Sequence, residues 1–113
     1  MSDLAQRIRM RISGFGDVRE VRMFGGLCFM LDGNMLVCVM KDGALLVRVG
    51  DGRAAEALAR PGTARMQMAG RTMKDFVVVA PAALDDTALA GWLDMARAFV
   101  APMPPKREKR RKP

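Results

Sequence analysis

Three glycine-bearing breaks fall between residues 23 and 43: Met23-Phe24-Gly25-Gly26, Asp32-Gly33-Asn34 and Lys41-Asp42-Gly43. The apolar runs between them, Leu27 to Leu31 and Met35 to Met40, are too short for helices and closed at both ends by turn signals. Such runs read as strands. The adjacent glycines of the first break predict a positive φ or a close approach of backbone. Asp32-Gly33-Asn34 predicts a hairpin. Before the first break, Val18 to Met23 alternates, with Val18, Glu20 and Arg22 on one face and Arg19, Val21 and Met23 on the other. After the last break, Ala44 to Val49 continues the pattern. The first half is therefore expected to be a meander of four strands.

Helices frame the meander. Ser2 or Asp3 can cap a helix to about Ile12, whose stripe is Leu4, Ile8 and Ile12. Its arginines, Arg7, Arg9 and Arg11, are either a small basic patch or a solvated face. Gly50-Asp51-Gly52 is a turn opening a short helix, Arg53 to Ala59. It is not a phosphate loop, because Asp51 sits where an anion would arrive and no Lys-Ser/Thr follows. Ala64 to Met68 and Met73 to Val79 read as strands around an Ala69-Gly70-Arg71 turn. A last helix runs from Asp85 or Asp86 to about Val100, with Leu89, Trp92, Leu93, Ala96, Phe99 and Val100 on its apolar face and Asp94 and Arg97 as an exposed i,i+3 pair. The order α-β-β-β-β-α-β-β-α predicts a two-layer α+β domain with a mostly antiparallel sheet. The domain is placed at residues 1–101. Residues 102–113 read as a linker with Pro102, Pro104 and Pro105, followed by a basic disordered tail.

Composition narrows the chemistry. The chain has 113 residues, one domain by length, and no histidine. Histidine-dependent triads and histidine zinc sites are therefore excluded, and no catalytic residue, metal or cofactor is expected. Cys28 and Cys38 fit a reducing cytoplasm. A three-residue hairpin loop would set them opposite each other, as a redox pair, a soft-metal site or two small buried apolar residues. Met66-Gln67-Met68 looks like a fragment of a copper(I) site without its second cluster. The N-terminus does not read as a secretory signal, and no apolar run reaches a membrane-spanning length.

The net charge is +7. The segment Lys106-Arg107-Glu108-Lys109-Arg110-Arg111-Lys112-Pro113 supplies +5 of it, which leaves a near-neutral body. A flexible polycation is a nonspecific contact for nucleic acid or a solubilising tail. It carries no aromatics for base stacking.

Arg22-Met23-Phe24-Gly25-Gly26, Asp32-Gly33-Asn34-Met35 and Leu45-Leu46-Val47-Arg48-Val49, followed by Gly70-Arg71, Val79-Ala80-Pro81 and Trp92, resemble the TfoX/Sxy N-terminal domain family in the right order. The likeness covers about Leu4 to Phe99. It implies a two-layer fold of helices and sheet, no catalytic residues, and a bacterial context. The best-known members regulate natural competence for DNA uptake with a cyclic-AMP-responsive transcription factor, and carry a second, C-terminal domain. The expected function is a non-enzymatic regulatory or adaptor domain that contacts a protein of the transcription machinery, with nonspecific DNA or RNA contact by Lys106, Arg107, Lys109, Arg110, Arg111 and Lys112. An exposed sheet surface or a sheet edge is the expected interface, and a homodimer through it fits the same reading. The alternatives are a nucleic-acid-binding protein in its own right and a thiol-based small-ligand or redox sensor. Arg22, Met23, Phe24, Gly25, Gly26 and Arg48 are the candidate contact residues. The two arginines suit a carboxylate or phosphate on a partner, and equally a surface ion pair with Glu20 or Asp32.

Overall fold

The computed structural model describes residues 3–23, 25–68 and 70–105. Helix α1 (Asp3–Ile12) is followed by strands β1 (Val18–Met23), β2 (Gly26–Leu31), β3 (Asn34–Val39) and β4 (Leu45–Arg48). A 3-10 turn at Asp51–Arg53 leads to the short helix α2 (Ala54–Leu58), then β5 (Thr63–Met68) and β6 (Arg71–Val79). A second 3-10 turn at Pro81–Ala83 precedes α3 (Asp86–Val100). The six strands form one antiparallel open sheet in the order β1-β2-β3-β4-β6-β5. This is the expected α+β architecture, with local differences: Asn34 begins β3 instead of lying in the turn, and the 3-10 turn Pro81–Ala83 is unexpected. Part of the short helix is a 3-10 turn, and Arg71 belongs to β6 rather than to the turn before it.

The main core lies between the sheet and the helices. From α1 come Leu4, Ala5, Ile8 and Ile12; from α3 come Leu89, Trp92, Leu93, Ala96 and Val100. Phe29, Leu31, Val37, Val39, Leu45, Val47, Val77 and Val79 meet them from the sheet. The Asp85 carboxylate caps α3 by accepting from the Ala88 N–H at 2.8 Å, which satisfies one of the orphan donors of the first turn. Above Trp92 the Arg60 guanidinium stands 4.8 Å from the ring centroid.

Two of the helix-borne cations are tied down. Arg7 donates to the Leu84 carbonyl at 2.8 Å and to Asp86 at 2.9 Å. Arg9 bonds both carboxylate oxygens of Glu20, at 2.6 and 2.9 Å, and thereby fastens α1 to the edge strand. The bonded guanidinium holds Glu20 below the usual carboxylate range. Arg97 corrects an expectation. Its guanidinium stacks 4.5 Å above the Phe15 ring and makes no ion pair with Asp94. A half-buried ring face holds a cation better than a fully solvated carboxylate one turn away.

After α3 the chain stays on the body to the end of the described region. Met103 packs against the core, and the Pro104 carbonyl accepts from the buried Asn34 amide at 3.1 Å. No described helix is long and apolar enough to cross a membrane.

Candidate functional site

Strand register divides the sheet into two ends. At one end lie Met23, Gly26, Val39, Leu45 and Val79; at the other lie Val18, Leu31, Asn34, Arg48 and Phe76. Met23 pairs with Gly26, so the first break is a tight hairpin with two central residues. Gly25 supplies its positive φ, 76°. Phe24 lies outside the described residues. Gly26 serves a different need, because a Cβ there would collide with the Val39 carbonyl oxygen and stand 3.2 Å from the Cys38 sulfur. The first glycine makes the turn, and the second lets β3 approach.

The candidate arginines do not converge. Arg22 is exposed near the hairpin end of edge strand β1 and has no ion pair with a described residue; the Glu20 carboxylate is already taken by Arg9. Arg48 closes β4 at the opposite end. It is half-buried, with its guanidinium carbon 5.6 Å from the Phe76 ring and 5.8 Å from the Phe99 ring. Its Nε is buried without a hydrogen-bond partner. Arg48 thus joins the two faces of the sheet through stacked rings. The tail residues Lys106 to Lys112 lie outside the described residues.

The described helices all pack on one face of the sheet. A straight row crosses the other face, one residue per strand: Val21, Cys28, Cys38, Leu46, Val78 and Ala64. Cys28, Cys38 and Leu46 are buried there by Met23, Met30, Met35, Met40, Met66, Phe76 and Val78. Flexible thioether side chains do the covering that helices do on the far side. Val21, at the edge of the row, is one of two large exposed apolar residues among those described. An exposed sheet surface is one of the two expected interfaces, but sequence pattern alone does not say which face or which residues form it. The signal was present in the many methionines at alternate strand positions, but a helix layer on both faces would have explained them as well.

The cysteines meet at the centre of the row. The Cys28 thiol donates to the Cys38 sulfur at 2.8 Å, and the Cys38 thiol is directed at the Val39 carbonyl at 3.8 Å. Both are free thiols. Burial raises both pKa values; that of Cys38, raised further by Cys28 beside it, is pushed up to about 12. Among the described residues, no group of three or more Cys, Asp or Glu side chains is arranged to hold a metal ion.

The geometry defines a small α+β domain with a one-sided layer of described helices, whose marked residues shape a hairpin and a sheet face. The chain belongs to the TfoX N-terminal domain family, whose model matches residues 11–100. Comparison with curated proteins gives no match.

Proposed function

We propose that the chain is a non-enzymatic regulatory adaptor domain. It docks on a protein of the transcription machinery, or on a regulator of it, through the methionine-covered sheet face. The tail cations from Lys106 to Lys112 add nonspecific contact with DNA, and the site of action is the cytoplasm. The observation that carries this reading is the apolar row from Val21 to Ala64, which no described helix covers. Flexible methionines adapt to a partner's side chains, and a contiguous apolar surface on a small domain commonly marks an interaction site. Family membership supports a regulatory role. The thiol-sensor alternative is disfavoured, because buried thiols of raised pKa react slowly.

A photo-crosslinking residue at Val21, compared in cells with one at the exposed helix position Ala98, tests the proposal. A discrete adduct is expected from Val21 alone, and Met35→Lys should remove it without unfolding the domain. No adduct from Val21, or equal adducts from both positions, would overturn the sheet-face reading.

A further inference from the structure

Residues 1–105 hold thirteen Lys and Arg against eleven Asp and Glu. Three of those cations lie between Thr63 and Lys74, in the hairpin of β5 and β6, whose one acid is Asp75. Helix α1 has the same balance, three cations to one acid, but its Arg7 and Arg9 are bound to Asp86 and Glu20.

The β5–β6 hairpin projects. β4 pairs with β6 only from Phe76 to Val79. The Val49 and Gly50 N–H groups then both donate to the Asp75 carbonyl, at 2.8 and 3.0 Å. Beyond Asp75, Arg71 to Met73 pair with Met66 to Met68 of β5 and with no other described strand. A two-stranded ribbon therefore extends past the end of the sheet. Arg71 and Lys74 are exposed on it, Arg65 is exposed just below its root, opposite Val77 within the sheet, and none of the three makes an ion pair with a described residue. Gln67 and Thr72 are exposed and directly opposite each other. A shallow open hollow runs along β6 from Arg71 to Phe76. Asp75 sits at the base, where its carboxylate accepts the Asp51 N–H at 3.1 Å.

The chain leaves the described region at this same end of the sheet. Asn34, which holds the Pro104 carbonyl, begins β3 beside the end of β4 that carries Arg48, and Arg48 pairs with Phe76 at the root of the ribbon. Residues 106–113, with their six cations, follow directly.

We propose that the β5–β6 ribbon is a contact surface for duplex DNA. Arg65, Arg71 and Lys74 bind phosphates, and the Gln67–Thr72 pair is presented to base edges. A two-stranded antiparallel ribbon fits a major groove about 12 Å wide. Unpaired cations on a projecting element are the groups that release counterions from the phosphate backbone. Among the described residues, the exposed side chains toward the tip, Gln67, Arg71 and Thr72, are polar, which favours a nucleic acid over the interior of a lipid surface. This inference does not rest on the protein-contact reading, which uses the sheet face and not its end.

The test is an anisotropy titration of the full chain with a labelled duplex across a salt series. In the parent variant, all six tail cations are replaced by Gln, so that tail binding cannot mask the ribbon. The parent is expected to keep salt-dependent binding. Adding Arg65→Gln, Arg71→Gln and Lys74→Gln should reduce the magnitude of the log K against log salt slope by about 2.7, or about 0.9 per contact. Affinity near 0.1 M salt should fall on the order of 10²-fold. Arg71→Gln alone should remove about one contact's share of the slope, which keeps the test usable if the triple variant unfolds. A parent that binds no duplex, or a ribbon variant with an unchanged slope, overturns the proposal. So does binding to anionic vesicles but not to duplex. Failure here leaves the Val21 crosslink unaffected, so the two readings fail separately.

Discussion

Cys28 and Cys38 face each other because of Leu36. The β2–β3 turn has only two central residues, since Leu31 pairs with Asn34 and Met30 with Met35. That register alone would set Cys28 opposite Val37. A bulge intervenes: Phe29 pairs with Val37, the extra residue Leu36 is buried in the core, and Cys28 then falls opposite Cys38. One inserted residue shifts everything beyond it by one position on one strand.

The two thiols should be inert while the chain is folded. Cys28 is 0% and Cys38 2% exposed, and the thiolate that alkylating reagents need is scarce in both. Native protein treated with iodoacetamide should gain less than one label per chain by intact mass, and two in denaturant. Rapid double labelling of folded protein would restore the thiol-sensor reading.

Alkaline pH should destabilise the fold through the same pair. A thiol whose pKa is raised on folding contributes stability that is complete below its unfolded value, about 8.5, and lost as pH rises toward the folded one. For Cys38, with a folded value of about 12, the loss is on the order of 1–2 kcal/mol by pH 10. The chain has no Tyr or His, so few other side chains titrate between pH 8 and 9.5. Urea unfolding at a series of pH values should show this decline in the wild type. A Cys28→Val, Cys38→Val variant should flatten the curve, and an equal slope in both proteins would refute the assignment.

The two motif glycines should differ in what they tolerate. Gly25→Ala places a side chain at φ 76° and should cost about 1–2 kcal/mol through strain alone. Gly26→Ala sets a methyl group against the Val39 carbonyl, which is fixed in the sheet. Relief requires β3 to move, so the cost should be larger, about 2–3 kcal/mol or more. Chemical denaturation of both variants decides the order; equal losses would mean that β3 yields readily.

Local features of the sequence were enough for the elements, the turns and most of the core. The glycine breaks are nearest-neighbour signals, and the stripes of α1 and α3 repeat within one turn. The features that define the candidate surfaces depend instead on distant pairings. The overhang of Arg71 to Met73 exists only because β4 stops at Arg48, far away in sequence. The same holds for Arg22 and Arg48, which look alike as strand arginines flanking a motif but end at opposite ends of the sheet. The choice of which sheet face the helices leave open is likewise a packing outcome, and strand alternation carries no sign for it.

Arg97 and Asp94 test a pairing that sequence spacing suggested and packing replaced. With its guanidinium 4.5 Å from the Phe15 ring centroid, Arg97 should contribute through that ring, on the order of 0.5–1 kcal/mol for an exposed cation–π contact. Arg97→Ala should therefore lower stability by about that amount, and Phe15→Leu should make a second loss at Arg97 smaller than the first. Asp94→Ala should be nearly neutral, since an exposed carboxylate without a partner contributes little. The informative result is the double-mutant cycle. Coupling between Arg97 and Phe15 with none between Arg97 and Asp94 supports the stacked arrangement. The reverse pattern would mean that the i,i+3 ion pair forms in solution and that Phe15 is held by its apolar contacts alone.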